Sequence, residues 1–203
     1  MPFIIIRLIF FCIVLIAAFL IIKKQRLKNE RRNRIIAFIS AMVLTTLFSL
    51  FPVENAFVSF TTAEKAYAYN HTEKVKLTVN GNDSDFIVGE KGNTDVYAII
   101  PKTNNRFKIG MGTDMRQVLK KTSDGISVCV YRFKETDDYY ISVFDADGGE
   151  TEITDNCNSV FEYTSSFNSA LNKTFYTYYA FIENYNDGYS VSVNGKTQIK
   201  TGS

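Results

Sequence analysis

The hydrophobic residues form two long runs at the start of the chain. Residues 3–22 make a run of 20 positions with a single charge, Arg7, near its start. Residues 35–51 make a run of 17 positions without any charge, followed by Pro52. A helix of about 20 apolar residues crosses a hydrocarbon core of about 30 Å. The pattern therefore predicts one transmembrane helix over residues 3–22 and a second over residues 35–51.

The segment between the two runs, residues 23–34, determines their expected orientation. It contains seven Lys or Arg residues and one acid, Glu30. Short loops rich in Lys and Arg stay on the cytoplasmic side of a membrane. We therefore expect a basic cytoplasmic loop over residues 23–34, with the N-terminus and the C-terminal domain outside the cell membrane. The lipid bilayer is then one partner of the chain.

The same features also fit a secretory signal. Residues 31–34 would be its basic start and residues 35–51 its apolar centre, and the domain would be secreted after cleavage. The tripeptide Ala66-Tyr67-Ala68 has the form of a cleavage site, but Ala66 lies 15 residues beyond the apolar run. This distance favours the two-span topology, and secretion after cleavage is the alternative.

Beyond residue 60 the spacing of hydrophobic residues changes. The segment Thr61-Thr62-Ala63-Glu64 has the form of a capping box with Thr61 as the cap, and it predicts a short helix to about residue 70. From residue 74 onward, hydrophobic and polar positions alternate as in half-buried strands, with Asn-Gly turns between some of them. The segments expected to be strands are 74–79, 86–88, 96–100, 106–109, 126–133, 139–144, 151–153, 159–164, 175–185 and 189–193.

Residues 113–121 fit two structures. Thr113 could cap a helix, or residues 117–121 could form a hairpin with residues 126–133, which is the arrangement we favour. The pattern as a whole predicts a mainly β protein with some α structure. Two N-terminal transmembrane helices would precede an extracytoplasmic domain over residues 60–200, folded as an antiparallel β sandwich or partly open barrel with one short helix.

The net charge of +2 averages two unlike parts of the chain. Residues 1–53 hold eight basic residues and one acid, whereas residues 54–203 hold 15 basic and 20 acidic residues. A nucleic-acid-binding domain should carry a basic patch on its folded surface. We therefore expect no nucleic acid among the partners.

The sequence contains no motif of a metal, cofactor or catalytic site. His71 is its only histidine, and a loop beginning at Asp145 lacks the Gly and Glu that a calcium loop needs at positions 6 and 12. We therefore expect no catalytic residue, no metal and no cofactor. An alternative is an envelope hydrolase that uses exported carboxylates such as Asp137, Asp138 or Glu162.

Two of the three cysteines, Cys129 and Cys157, lie in the exported part. An oxidising compartment permits a disulfide between them. In the other interpretation, Cys129 is a buried thiol in a strand and Cys157 is a loop residue.

Aromatic residues fall on both faces of the strand predicted over residues 175–185. Tyr176 and Tyr178 share one face, whereas Tyr179 and Phe181 share the other. If the first face is exposed, Tyr176 and Tyr178 form a binding surface for a glycan, a peptide or a protein. In the alternative, both faces are buried in the central strand of a sandwich.

Several short motifs resemble those of uncharacterised small membrane-anchored extracytoplasmic proteins of Gram-positive bacteria. Among them are Gly81-Asn82-Asp83-Ser84, Ile99-Ile100-Pro101-Lys102 and Val193-Asn194-Gly195-Lys196, and the likeness covers most of residues 60–200. The resemblance implies a bacterial cell-envelope setting. We expect a membrane-anchored binding or accessory protein of that envelope, in contact with another membrane or cell-wall component. The alternatives are the hydrolase above and an immunity protein against an exported toxin.

Overall fold

The computed structural model describes residues 2–24, 30–50, 53–195 and 197–200. It divides into two compact units, one formed by Met1–Val58 with Ala68–Thr72 and the other by Ser59–Tyr67 with Glu73–Ser203. The helices are α1 (Pro2–Lys24), α2 (Glu30–Leu50) and α3 (Ala63–Asn70), with short 3-10 turns at Val53–Ala56 and Gly112–Asp114.

The first unit contains α1, which is apolar along nearly its whole length. Among the described residues, one helical stretch is long and apolar enough to cross a membrane, namely Ile5–Lys23, with a mean hydropathy of 3.2. A stretch of this kind near the N-terminus fits either a membrane anchor or a signal sequence. The prediction of a membrane-spanning helix over residues 3–22 is consistent with this finding.

The structure does not support the predicted second span over residues 35–51, because no described stretch of α2 is long and apolar enough to cross a membrane. The first residues of α2, Glu30–Arg34, are helical and charged, and they leave Ile35–Leu50 as its apolar part. At the rise of an α-helix this part is about 24 Å long, which is less than a hydrocarbon core of about 30 Å. The predicted loop over residues 23–34 is also shorter, because α1 ends at Lys24 and α2 begins at Glu30. Residues 25–29 lie outside the described residues.

The two long helices contact each other within the first unit. The rings of Phe11 and Phe38 meet edge to face, with their centroids 6.5 Å apart. The guanidinium of Arg7, the one charged group within the first apolar run, lies 3.3 Å from the carboxylate of Glu54. Glu54 lies in the 3-10 turn Val53–Ala56, four residues after the last residue of α2. This ion pair therefore joins the beginning of the first helix to the turn that follows the second.

The second unit is built from antiparallel strands, which confirms the prediction of a mainly β protein. The described residues form twelve strands: β1 (Lys74–Asn80), β2 (Ser84–Lys91), β3 (Thr94–Thr103), β4 (Arg106–Phe107), β5 (Met115–Ser123), β6 (Ile126–Phe133), β7 (Tyr139–Asp145), β8 (Ile153–Asp155), β9 (Glu162–Asn168), β10 (Lys173–Ile182), β11 (Ser190–Val193) and β12 (Thr197–Lys200).

These strands form three sheets. A four-stranded sheet has the order β1-β2-β3-β4, a five-stranded sheet has the order β5-β6-β7-β10-β9, and a three-stranded sheet has the order β12-β11-β8. The five-stranded sheet is central, because each of its faces contributes to a different hydrophobic core. Its side chains meet the four-stranded sheet in one core, formed by Val79, Phe86, Val88, Ile99, Tyr131, Phe133, Tyr140 and Tyr179.

The other face of the central sheet packs against the three-stranded sheet. This core contains Ile126, Val128, Val130, Ile141, Val143, Tyr178, Ala180, Ile182, Tyr189, Val191 and Val193. The alternation of side chains along a strand explains how one sequence supplies both cores. In β6, Val128 and Val130 point to the three-stranded sheet, whereas Tyr131 and Phe133 point to the four-stranded sheet.

The ambiguous residues 113–121 form the predicted hairpin. After the turn at Gly112–Asp114, β5 pairs with β6 from Met115↔Phe133 to Ser123↔Ile126, with one bulge between Gln117 and Leu119. The helical alternative for these residues is therefore wrong.

Helix α3 begins slightly later than predicted. The backbone N–H of Lys65 lies 3.4 Å from the hydroxyl oxygen of Thr62, so Thr62 rather than Thr61 occupies the capping position. Glu64 hydrogen-bonds to the side chain of Thr62, and its carboxylate also accepts a 2.6 Å hydrogen bond from the hydroxyl of Thr78. The buried face of the helix packs on the outer side of the four-stranded sheet in a third cluster, formed by Ala63, Ala66, Tyr67, Ile87 and Ile100.

Candidate functional site

The outer strand β9 has one open edge. It lies at the end of the five-stranded sheet and pairs on one side with β10. The register runs without interruption from Glu162↔Tyr179 to Asn168↔Lys173. On its other side, no strand of the described part of the chain pairs with it. Alternate N–H and C=O groups of β9 therefore point away from the sheet.

The other long edge strands differ from β9 in two ways. Strand β1 carries Lys74 and Lys76 and is bulged between Val75 and Leu77. Strand β5 carries Arg116, Lys120 and Lys121 and is bulged as well. Lysines and bulges are the features with which proteins protect sheet edges from pairing with other chains.

Strand β9 has neither form of protection. Its sequence, Glu-Tyr-Thr-Ser-Ser-Phe-Asn, contains one charged residue, Glu162, at its very start. It has no proline and no bulge, and most of its side chains are exposed. The strand therefore keeps the regular geometry that another strand can extend.

Two aromatic side chains stand on one face of β9, on either side of Ser165. Tyr163 is 54% exposed and Phe167 is 63% exposed. The ring of Tyr163 meets the ring of Tyr176 edge to face at 5.5 Å and lies 5.7 Å from the ring of Tyr178. Tyr163, Tyr176 and Tyr178 thus form a tyrosine cluster that continues from the core to the open edge.

The structure places the two tyrosines proposed for binding at different depths in this cluster. Tyr178 is only 7% exposed and belongs to the core against the three-stranded sheet. Its hydroxyl oxygen accepts a 2.7 Å hydrogen bond from the backbone N–H of Thr151. Tyr176 is half-buried and packs against the same core. The exposed members of this face are therefore Tyr163 and Phe167.

Strand β9 is also linked to the four-stranded sheet by polar contacts. The hydroxyl of Thr164 lies 3.4 Å from the carboxylate of Asp95, which also accepts a 3.1 Å hydrogen bond from the hydroxyl of Tyr179. Asp95 makes a 3.0 Å ion pair with Lys76. Burial acts against the charged form of Lys76, but the carboxylates of Asp95 and Glu90 outweigh it and raise the pKa of this ammonium group. The edge strand is thereby tied to the four-stranded sheet.

A cleft of 560 Å³ runs beside β9. Ser165, Ser166 and residues 167–169 line one side of it, and Lys76, Glu90 and Asn93 line the other. Phe144 and Phe175, whose rings stack at 5.9 Å, also line the cleft. Small polar side chains and an aromatic pair are the surroundings that suit an extended polypeptide segment.

The carboxylates considered for catalysis have separate surroundings. Asp138 is 1% exposed, and it accepts hydrogen bonds from the backbone N–H groups of Asn82 (3.3 Å) and Asp83 (2.8 Å) and from the hydroxyl of Ser84 (2.8 Å). Asp137 is almost fully exposed beside Arg132, and Glu162 is exposed at the start of β9. A carboxyl group that acts as an acid at neutral pH needs a desolvating pocket. Asp138 serves instead to hold a turn, whereas Asp137 and Glu162 are exposed and line two different clefts.

The cysteines considered for a disulfide are free thiols in the structure. Cys129 packs against the core on the side of the four-stranded sheet, whereas Cys157 packs against the core on the opposite side of the central sheet. Burial, and to a lesser extent the carboxylate of Asp155, raises the pKa of the Cys157 thiol. The central sheet lies between the two positions.

The Asp145 turn is closed by hydrogen bonds within the chain. The Asp145 carboxylate accepts a 2.8 Å bond from the N–H of Asp147 and a 3.0 Å bond from the hydroxyl of Thr151. Within the described ranges, no group of three or more His, Cys, Asp or Glu side chains is arranged to hold a metal ion.

The sequence alone points to the tyrosine face, including Tyr163 in the predicted strand 159–164, but not to Phe167. Tyr176 and Tyr178 were visible as an aromatic stripe, whereas Ser165 and Phe167 lay outside the predicted strand 159–164. The pattern that could have found them is the stretch from Tyr163 to Phe167, in which two aromatic residues flank Thr, Ser and Ser without a charge.

Comparisons with protein-family models, with curated proteins and with solved structures find no match to this chain.

Proposed function

We propose that the chain is a membrane-anchored, non-catalytic binding protein of the cell envelope, and that it binds an extended segment of a partner polypeptide along β9. The observation that carries the proposal is the contrast between the edge strands. Strands β1 and β5 each carry lysines and a bulge, whereas β9 is regular and nearly uncharged. An edge left without these protections is suited to strand addition.

The binding mode follows from the geometry of β9. The added strand would form backbone hydrogen bonds with the N–H and C=O groups that point away from β10. Its side chains would alternate between two environments. One set would meet Tyr163, Phe167 and Tyr176, and the other would enter the cleft lined by Ser166 and Lys76. Backbone bonds supply affinity in this mode, and the two environments supply specificity.

The membrane location is part of the same proposal: both long helices lie inside the bilayer, which thins locally around a span as short as the apolar part of α2. The supporting observation is that many large apolar side chains of α1 and α2 are exposed, including Ile13 and Phe19 on the first helix and Ile39 and Val43 on the second. Soluble surfaces rarely carry such continuous apolar areas. The basic residues around residue 30 favour a cytoplasmic position for the helix connection and an outer position for the β unit.

Polar groups within α2 are compatible with a bilayer. The hydroxyls of Thr45 and Thr46 donate to the backbone carbonyls of Ala41 (2.8 Å) and Met42 (2.9 Å) in the preceding turn. Polar groups in lipid need such internal partners.

The topology is tested with single cysteines at Arg32 and Lys91 in a chain whose native cysteines are replaced. A membrane-impermeant maleimide should label position 91 in intact cells and position 32 only after permeabilisation; the reverse pattern would contradict the orientation.

The binding proposal is tested by a photoreactive amino acid placed in the full chain in its native membrane. At Ser165 it would lie at the open edge, and at Lys120 it would lie on the protected strand β5, which is the matched control. We expect covalent adducts to a polypeptide at position 165 and at most traces at position 120. Equal yields at both positions, or no adduct at position 165, would overturn the proposal.

A further inference from the structure

We propose that the polypeptide segment bound by β9 is β9 of a second copy of this chain, paired antiparallel about a twofold axis that passes through Ser165. The inference rests on the proposed function, because it names the partner of the same edge. It makes the two five-stranded sheets into one continuous sheet across the pair. The axis would be perpendicular to this sheet, so both tyrosine clusters would lie on the same face.

The side chains of β9 are arranged symmetrically about Ser165, and this symmetry favours a second copy of the strand as the partner. In this register Ser165 lies opposite Ser165 of the second copy, and Tyr163 lies opposite Phe167 of the second copy. The exposed aromatic residues therefore pair twice, once on each side of the axis. Aromatic side chains that face each other across neighbouring strands stabilise a sheet.

The remaining positions of β9 are compatible with the same register. Thr164 lies opposite Ser166 of the second copy, so a hydroxyl residue faces a hydroxyl residue. Glu162 lies opposite Asn168 of the second copy, so the carboxylate faces an amide rather than another carboxylate. No like charges are opposed, and such opposition would have disfavoured the pairing.

Neighbouring registers lose these matches. If the axis passed through Thr164, Tyr163 would face Ser165 of the second copy, and Phe167 would extend beyond β9. If the axis passed through Ser166, Phe167 would face Ser165 and Tyr163 would lack an aromatic partner. If the register between the two strands shifted by one residue, the side chains on one face of the first sheet would line up with those on the opposite face of the second sheet. The symmetric register is thus the one that pairs both aromatic residues.

The expected association is modest. The contact consists of one short strand from each copy with its aromatic flank, and small contacts of this kind are typical of weak and reversible complexes. Anchoring both copies in the same membrane would raise their effective concentration. The pair should therefore form in the membrane and dissociate on dilution in detergent.

The test is disulfide cross-linking of the full chain in membranes. The native cysteines are replaced, and a single cysteine is introduced as Ser165→Cys or, as the matched control, Ser166→Cys. Both positions are exposed, and both lie on the same strand. Opposed Cα atoms in a sheet are about 4.5–5.5 Å apart, within the range that a disulfide bridges, whereas the two copies of residue 166 would be displaced along the strands.

We expect mild oxidation to give at least about five times more covalent dimer with Ser165→Cys than with Ser166→Cys, since a disulfide forms only where the two Cα atoms approach closely. Adding Phe167→Lys to the Ser165→Cys chain should suppress the dimer, because a charged lysine would then replace one ring in each of the two aromatic pairs. Equal cross-linking at both positions, no dimer at position 165, or no effect of Phe167→Lys would overturn the twofold pair.

The photoreactive probe at Ser165 separates this inference from the proposed function. Adducts that contain only peptides of the chain itself would support the pair. Adducts to another protein, together with no disulfide dimer at position 165, would overturn the pair but leave strand addition intact. The absence of both adducts and dimer would overturn both proposals.

Discussion

The carboxylate of Asp138 accepts a 2.8 Å hydrogen bond from the hydroxyl of Ser84, and this contact ties the four-stranded sheet to the five-stranded one. Asp138 directly precedes β7, whereas Ser84 begins β2. The hydroxyl of Tyr140 adds a 2.7 Å bond to the backbone carbonyl of Ser84. The turn between β1 and β2 is therefore docked on the central sheet by buried polar groups rather than by apolar contacts alone.

Replacing Asp138 should reveal this structural role. Asp138→Ala removes the acceptor of two part-buried backbone N–H groups and of the buried Ser84 hydroxyl, and we expect the free energy of unfolding to fall by about 2–4 kcal/mol. Asp137→Ala is the control, since its side chain lies in solvent one residue away. Denaturant unfolding of the full chain in detergent measures both. An unfolding free energy that is unchanged by Asp138→Ala would contradict the role assigned to this carboxylate.

Gly81 provides a second test of the same turn. A Cβ atom at this position would overlap the hydroxyl of Tyr140 and come within 2.8 Å of the backbone oxygen of Ser84. We expect Gly81→Ala to destabilise the chain by about 1–3 kcal/mol, as overpacking does elsewhere. Gly112→Ala serves as the control, because nothing lies within 4 Å of the Cβ position there. Comparable melting temperatures for the two variants would show that the turn is not packed as described.

The tyrosine cluster should divide into core and surface members on mutation. Tyr178→Ser removes a buried ring and the acceptor for the Thr151 N–H. We expect a loss of about 3 kcal/mol or more. Tyr163→Ser removes an exposed ring and should cost less than about 1 kcal/mol. Thermal unfolding of the two variants measures the difference, and a larger effect at Tyr163 would argue against the assignment of the edge.

Buried phenols should make the fold sensitive to alkali. Burial, with a smaller contribution from Glu73, raises the pKa of Tyr67 from 10.0 to about 12. Burial also raises the pKa of Tyr140 and of Tyr179. Because the folded-state pKa values lie above the unfolded value, the stability from these groups is complete below pH 10 and is lost as the pH rises through the folded values.

The measurement is a titration of phenolate absorbance together with far-ultraviolet circular dichroism. We expect a fraction of the tyrosines to ionise only as the β signal disappears above pH 10. In denaturant, all tyrosines should ionise in a single transition near the ordinary tyrosine pKa of about 10. Full ionisation at pH 10–11 with an intact β signal would show that the phenols are not buried.

Much of the β unit could be predicted from the local alternation of hydrophobic and polar residues, because successive side chains along its strands point to opposite faces of a sheet. Strand β6 is an example, since Val128 and Val130 alternate with Cys129 and Tyr131 in the sequence and in the two cores. The order of the strands could not be predicted in this way. The pairing of β7 with β10 passes over β8 and β9, and such long-range pairing depends on packing that a local pattern does not contain.

The candidate site was only partly visible for the same reason. Strand β9 was predicted over residues 159–164 but occupies Glu162–Asn168, because its exposed polar residues give it little hydrophobic alternation. The alternation along the strand leaves Tyr178 either on an exposed binding face or in the core, and the three-stranded sheet covers it. Whether a strand lies at an edge depends on the whole sheet. The absence of lysine from β9 therefore indicates an unprotected edge only once the position of the strand in the sheet is known.

The most direct test of the account is amide hydrogen exchange along β9 in the full chain. Exchange is compared between membrane vesicles and dilute detergent, with β5 as the internal reference. If β9 is extended by another strand in the membrane, the amides that point away from β10 should exchange at least about tenfold more slowly in vesicles. Exchange along β5 should be alike in both conditions. Equal and rapid exchange of these β9 amides in vesicles and in detergent would contradict the account.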